Sequence, residues 1–141
     1  MNATWVLIAD GSRARLFSVE KALAPLREIQ SLINPEGRAK TRDLVSDRQG
    51  RSPGNGPNMD YDVAPKQQLA IQFAREISEQ LRRGRVGGLF RKLYIAAAPA
   101  FLGLLRRHLD AKTAGLVVET VSKDLTRLAS KQIRRHLPER L

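Results

Sequence analysis

Two aspartates stand just beyond stretches that predict β-strands, where side chains from neighbouring strands can meet. Asp10 follows the apolar run Thr4–Ala9, and Asp124 lies beyond a later strand that contains Glu119. Asp10 paired with Asp124 or Glu119 would suit the two-metal chemistry of a nuclease. The alternative is structural, because Asp10, Asp124 and Thr126 have the side chains that accept hydrogen bonds in tight turns. We favour the turns and expect neither a metal nor another cofactor.

A second candidate site lies between about residues 34 and 63, a stretch rich in glycine, proline and alternating charges. It predicts a long mobile loop, a kind of loop that often carries function. Guanidinium groups on such a loop suit phosphate oxygens, although the charges could instead pair with one another. The residues that would bind a polyanion are Arg42, Arg48, Gln49 and Arg51, and neighbouring carboxylates without an assigned role are Asp43 and Asp47.

Net charge gives a third candidate site. The 141 residues include 25 Lys+Arg and 14 Asp+Glu, and residues 82–141 carry 14 basic and 4 acidic side chains. Such a surface attracts RNA, DNA or anionic lipid, unless it serves solubility alone. The hypothesis assigns six arginines to one basic face: Arg82, Arg83, Arg106, Arg107, Arg134 and Arg135. Because the few aromatic residues fall at core-like positions, contacts should be with phosphates rather than bases.

Composition excludes several classes of protein. The chain has no cysteine and only two histidines, so disulfide scaffolds, thiol nucleophiles and Cys-based zinc sites are excluded. The longest uncharged apolar run, residues 93–105, is interrupted by Pro99, and a membrane-spanning helix needs about 20 residues. No basic segment precedes the first apolar run, so no signal peptide is visible. We therefore expect a cytoplasmic protein without membrane insertion.

Periodicity predicts the elements that position these residues. Alternating and apolar runs predict five strands, at Thr4–Ala9, Arg13–Val19, residues 26–32, Lys92–Ala97 and residues 116–121. Helices are predicted at 65–84, 99–109 and 130–137, and the first carries the apolar stripe Leu69, Phe73, Ile77 and Leu81. The order β-β-β-loop-α-β-α-β-α predicts an α/β (α+β) fold in a single domain of residues 1–141: a five-stranded mixed β-sheet with helices packed on it.

Six segments together resemble the bacterial host-attachment proteins, named for a requirement in attachment to host cells. They are residues 5–17, 34–38, 42–52, 73–76, 97–105 and 123–128. That family is in turn similar to the middle domain of eukaryotic and archaeal peptide-chain release factors, which implies an RNase H-like fold. In the release factors the long loop carries Gly-Gly-Gln, which promotes peptidyl-tRNA hydrolysis. The comparable residues 47–51 here read Asp-Arg-Gln-Gly-Arg, so the resemblance does not carry the hydrolytic role over.

The leading hypothesis is a non-enzymatic binding domain that engages RNA, the ribosome or another polyanion through its basic face and loop. One rival is an enzyme, either a metal-dependent nuclease around Asp10 and Asp124 or a peptidyl-tRNA hydrolase that uses Gln49. Another rival is a surface adhesion factor, which the missing export signal disfavours. The sequence leaves the partner and the oligomeric state open.

Overall fold

The computed structural model describes residues 3–34 and 58–141. In chain order the elements are β1 (Thr4–Ala9), β2 (Arg13–Val19), β3 (Arg27–Ile33), α1 (Asn58–Val86), β4 (Lys92–Ala97), α2 (Pro99–His108), α3 (Ala111–Ala114), β5 (Val117–Val121) and α4 (Ser130–Arg135). Within residues 3–34 and 58–141 this order confirms the predicted one, with the single-turn helix α3 in addition. The candidate loop residues 42–51 lie outside the described residues, so the predicted mobility of that loop stays a prediction.

The five strands form one mixed sheet in the order β3-β2-β1-β4-β5. β1, β4 and β5 run parallel, and β2 and β3 add an antiparallel meander at one side. Thr4 of β1 stands opposite Lys92 of β4, which places the starts of these strands at one edge of the sheet. We call this edge the amino end and the opposite edge, at which the parallel strands finish, the carboxyl end.

One side of the sheet carries the long helices. Trp5 and Leu7 of β1 share an apolar cluster with Phe73 of α1 and Phe101 of α2. The rings of Phe73 and Phe101 lie 5.9 Å apart between centroids. Because the stripe predicted on α1 recurs every four residues, it stays on one face of the helix, where Phe73, Ile77 and Leu81 are buried and Leu69 is partly buried.

The other side of the sheet is covered by the C-terminal segment. Val6 and Ile8 of β1 and Phe17 of β2 share a second cluster with Ile133 of α4 and Leu125. The alternation of odd and even positions along β1 therefore buries both faces of that strand, as expected for a strand with helices on both sides. Helix α4 is separated from α1 and α2 by the sheet.

Helix α1 begins earlier than the sequence predicted. It starts at Asn58 rather than at Pro65, so residues 58–63 of the predicted loop are helical. The sequence therefore predicted the start of this helix only to within two turns.

Candidate functional site

The carboxyl end of the sheet brings Asp10, Asp124 and Thr126 together. Asp10 Oδ1 accepts hydrogen bonds from the backbone N–H groups of Ser12 and Arg13, at 2.7 and 2.8 Å. Asp124 Oδ1 accepts from the Thr126 hydroxyl at 2.6 Å and from the Thr126 backbone N–H at 3.0 Å. The same hydroxyl oxygen lies 3.3 Å from Asp10 Oδ2. Both turns predicted from the sequence are present, and Thr126 joins them.

These contacts favour the ionised form of Asp124. The pKa of Asp124 lies below its ordinary value, first because the Thr126 hydroxyl donates a hydrogen bond to the carboxylate. Burial opposes this effect, whereas the Thr126 backbone N–H and the nearby charges of Arg127 and Arg13 add to it. Asp124 is thus stabilised as an anion by groups of the protein itself.

Arg15, which the sequence did not single out, holds this end together. Its guanidinium donates to both carboxylate oxygens of Glu28 on β3, at 2.9 and 3.3 Å. It also donates to the backbone carbonyl oxygens of Thr126 and Leu128, at 3.2 and 2.6 Å. Arg15 therefore ties the loop after β5 to the antiparallel strands. Arg15 lies on β2 two residues before the buried Phe17. Because side chains two residues apart in a strand lie on the same face of the sheet, this spacing was the sequence signal for the position of Arg15.

Among the described residues, Glu119 is not grouped with Asp10 and Asp124 as three ligands of a metal ion would be. In the register of β4 and β5, Glu119 pairs with Tyr94, and its side chain is exposed. Within residues 3–34 and 58–141, no three His, Asp or Glu side chains are grouped so that they could hold a metal ion. The pairing of Asp10 and Asp124 is explained by hydrogen bonds within turns, and Glu119 does not complete a cluster with them.

The candidate loop begins at the carboxyl end. Ile33, the last residue of β3, stands opposite Arg13, and the buried Asn34 follows. The Asn34 backbone N–H donates to the Ser12 carbonyl at 2.9 Å, and its side-chain amide donates to the Leu69 carbonyl of α1 at 3.3 Å. The loop candidates Arg42, Asp43, Asp47, Arg48, Gln49 and Arg51 all lie outside the described residues.

The amino end collects the C-terminal turns of α1 and α2. Arg82 of α1 forms a close ion pair with Glu79, with donor–acceptor distances of 2.5–3.0 Å. That hydrogen bond is the main reason why the pKa of Glu79 lies below its ordinary value. Arg83 approaches the same carboxylate only to 3.7 Å, and 66% of its side chain is exposed. Glu79 is therefore bound mainly by Arg82, and most of the Arg83 side chain remains exposed to solvent.

Other side chains connect the elements of this end. Arg85 donates to the Thr113 hydroxyl at 3.1 Å and to Asp110 Oδ2 at 3.4 Å, and thereby links α1 to α3. Arg106 of α2 donates to the Thr120 hydroxyl on β5 at 2.7 Å. The exposed Arg107 makes no hydrogen bond or ion pair with any described residue. Asp110, which a helix N-cap pattern could have revealed, accepts from the backbone N–H of Thr113.

The six predicted arginines are divided between helices on the two sides of the sheet. Arg82, Arg83, Arg106 and Arg107 lie on the side of the sheet that carries α1 and α2, whereas Arg134 and Arg135 belong to α4 on the other side. Arg134 donates to the carbonyl oxygens of Pro138, Glu139 and Ala22, at 2.6, 2.5 and 3.2 Å. Its donors therefore hold the C-terminal residues against the β2–β3 turn. Arg135 is exposed.

The architecture is similar to that of a solved translation factor. The chain aligns with the crystal structure of the archaeal translation termination factor aRF1 at a TM-score of 0.53 and 13% sequence identity. The match covers 96% of this chain and 37% of that one, so the chain spans little more than a third of the termination factor's length. At this identity the likeness concerns the fold alone. The molecule thus has the open mixed sheet of a release-factor domain.

A family model identifies the family to which the chain belongs. The model described as "Protein required for attachment to host cells" matches residues 5–137, which is nearly the whole chain. The chain therefore belongs to this host-attachment family, as its six motif segments predicted. No curated protein matches the chain significantly. None of the helices in the described part of the chain combines the length and the apolar character that a bilayer-spanning segment requires.

Proposed function

We propose that the chain is a non-enzymatic binding domain whose amino end takes up the phosphate backbone of RNA. The observation that carries the proposal is a set of cations near the C-terminal ends of α1 and α2. We call it the basic end, and it consists of Arg82, Arg83, Arg106 and Arg107. The two carboxylates nearby, Glu79 and Asp110, are already engaged by Arg82 and by Arg85 with Thr113. The remaining positive charge is therefore free to attract a polyanion.

Folding alone does not require these side chains. Arg83 is two-thirds exposed, and Arg107 has no partner among the described residues. A cation in the last turn of a helix stabilises it by only about 0.3–1 kcal/mol at an exposed position. The guanidinium groups of Arg83 and Arg107, on adjacent helix ends, instead provide forked donors that can each bind a phosphate oxygen.

The aromatic side chains favour contacts with phosphates over contacts with bases. All six aromatic residues whose side chains the structure describes are buried: Trp5, Phe17, Phe73, Phe90, Tyr94 and Phe101. A platform on which bases could stack is therefore absent from the described surface. Because phosphates carry no sequence information, we expect binding that is nearly independent of RNA sequence.

The likeness in fold supports the proposal that the RNA partner belongs to the translation machinery. The archaeal chain with the same architecture is a translation termination factor, and we extend that setting to this protein as part of the proposal. The loop residues Arg42, Arg48, Gln49 and Arg51 would add a second contact from the carboxyl end. Catalysis is not part of the proposal, because Asp10 and Asp124 are used in turns and no Gly-Gly-Gln stands in residues 47–51.

Fluorescence anisotropy with labelled single-stranded RNA tests this proposal. The double variant Arg83→Glu/Arg107→Glu should weaken binding by about tenfold or more at low salt, for two unrelated RNA sequences alike. The matched control, Arg75→Glu/Lys123→Glu, changes the net charge by the same amount at exposed positions away from the basic end. Equal losses in both double variants, or no RNA binding by the unmodified chain, would overturn the proposal.

A further inference from the structure

The turn between α1 and β4 exposes two apolar side chains. Val86, the last residue of α1, is 64% exposed, and Leu89 is 55% exposed. Gly87 and Gly88 stand between them, and Gly88 has a φ of 70°, a conformation that residues with a side chain rarely adopt. The glycines therefore fix a tight turn that leaves Val86 and Leu89 exposed at the amino end.

The usual packing partner of Leu89 is missing. The Leu89 N–H donates to the Gly84 carbonyl and the Gly88 N–H donates to the Arg85 carbonyl, which is the Schellman pattern of helix termination. In this pattern the residue at the position of Leu89 often packs against the side chain at the position of Gly84. Gly84 has no side chain, and a Cβ there would lie 2.5 Å from the ring of Trp5. Helix capping therefore does not account for the apolar residue at position 89.

Cations surround this apolar turn. Arg82 and Arg83 lie one helical turn before Val86, and the exposed Lys92 begins β4 three residues after Leu89. Leu23, in the β2–β3 turn, is a further exposed apolar side chain at the same end of the sheet. A partner made only of phosphates would leave these apolar side chains in water. The surface therefore suits a partner with both negative charge and an apolar layer.

We infer that the amino end docks on an anionic lipid bilayer, with Val86 and Leu89 in the interfacial region and the surrounding cations on the headgroup phosphates. A convex turn carrying apolar side chains fits a deformable interface, whereas a protein partner would need a matching pocket. Combined apolar burial and attraction to anionic lipid is the usual basis of peripheral membrane binding. This mode differs from membrane spanning and does not depend on the RNA proposal.

Co-sedimentation with vesicles tests the inference. The unmodified chain should bind vesicles of phosphatidylcholine and phosphatidylglycerol and should not bind pure phosphatidylcholine. Val86→Ser/Leu89→Ser should lower the partition coefficient by about tenfold or more while the affinity for RNA stays unchanged. The control Ile29→Ser/Ile33→Ser removes two exposed apolar side chains from the edge strand β3 and should bind vesicles like the unmodified chain.

A spectroscopic readout separates insertion from simple electrostatic adsorption. The native Trp5 is buried against Phe90, so the variant Leu89→Trp adds an exposed indole whose emission should shift to the blue and be quenched by brominated lipid. Vesicle binding that survives Val86→Ser/Leu89→Ser, together with an unshifted indole, would overturn the inference. Val86→Ser/Leu89→Ser retains every cation, so its effect on vesicle binding tests the lipid inference separately. Loss of RNA binding in the arginine variants bears on the proposed function alone.

Discussion

At the carboxyl end of the sheet the guanidinium of Arg15 contacts Glu28 and two backbone carbonyl oxygens, whereas at the amino end Arg83 extends into solvent. The side chain of Arg15 is 19% exposed and that of Arg83 is 66% exposed. The polar groups of the carboxyl end satisfy one another and fix the loop after β5. Those of the amino end leave positive charge and apolar surface without a full complement of partners. We therefore assign stability to the first region and binding to the second.

The largest expected effect is a loss of stability on substitution of Phe73, a residue of the main apolar cluster. Phe73 is buried between α1 and the sheet and contacts Phe101. Phe73→Ala should lower the free energy of unfolding by about 3–5 kcal/mol, because it leaves a cavity in the main cluster. Urea denaturation measures this loss. Phe73→Leu should lose less than about 1.5 kcal/mol, and a near-zero loss for the alanine variant would show that this face of α1 is not core.

Removal of Arg15 should affect stability more than removal of an exposed arginine. Arg15→Met keeps much of the apolar stem and removes the donors to Glu28, Thr126 and Leu128. We expect a loss of about 2–3 kcal/mol in the free energy of unfolding. The control is Arg27→Met on β3, because Arg27 lies 3.8 Å from Glu20 in an exposed ion pair worth less than about 1 kcal/mol. Equal losses for the two variants would contradict the contrast between the ends.

The hydroxyl that joins the two turns should contribute less. Thr126→Val keeps the shape of the side chain and removes its hydrogen bond to Asp124, so we expect a loss of about 1 kcal/mol. Because folding lowers the pKa of Asp124, its contribution is present above the ordinary aspartate pKa of about 3.9 and is lost as the pH falls through the lowered value.

The pH dependence of this variant provides a separate check. Unfolding free energies of both proteins should decrease on acidification, and the decrease should be smaller in Thr126→Val because Asp124 then has less stabilisation to lose. Denaturation melts at a series of acidic pH values measure the difference. Parallel pH profiles would mean that Thr126 does not act through the charge of Asp124.

The sequence predicted the elements whose buried apolar residues recur at regular intervals along the chain. The bounds of β1, β2 and β4 agree with the predicted ones, because their apolar runs end at turn residues or helix starts such as Asp10 and Pro99. The separate roles of the arginines could not be predicted in the same way. Arg134 binds the carbonyl of Ala22, and Asp10 meets Thr126, through contacts between residues more than 100 positions apart. Local pattern carries no information about such pairs.

The salt dependence of RNA binding tests the central claim most directly, because counterion release measures how many phosphates the protein neutralises. For single strands the slope of log affinity against log salt is about 0.7 per phosphate, so Arg83→Glu/Arg107→Glu should reduce it by about 1.4. The unfolding free energy of this variant should differ from that of the unmodified chain by less than about 1 kcal/mol. An unchanged slope in a folded variant would contradict the assignment of binding to the amino end.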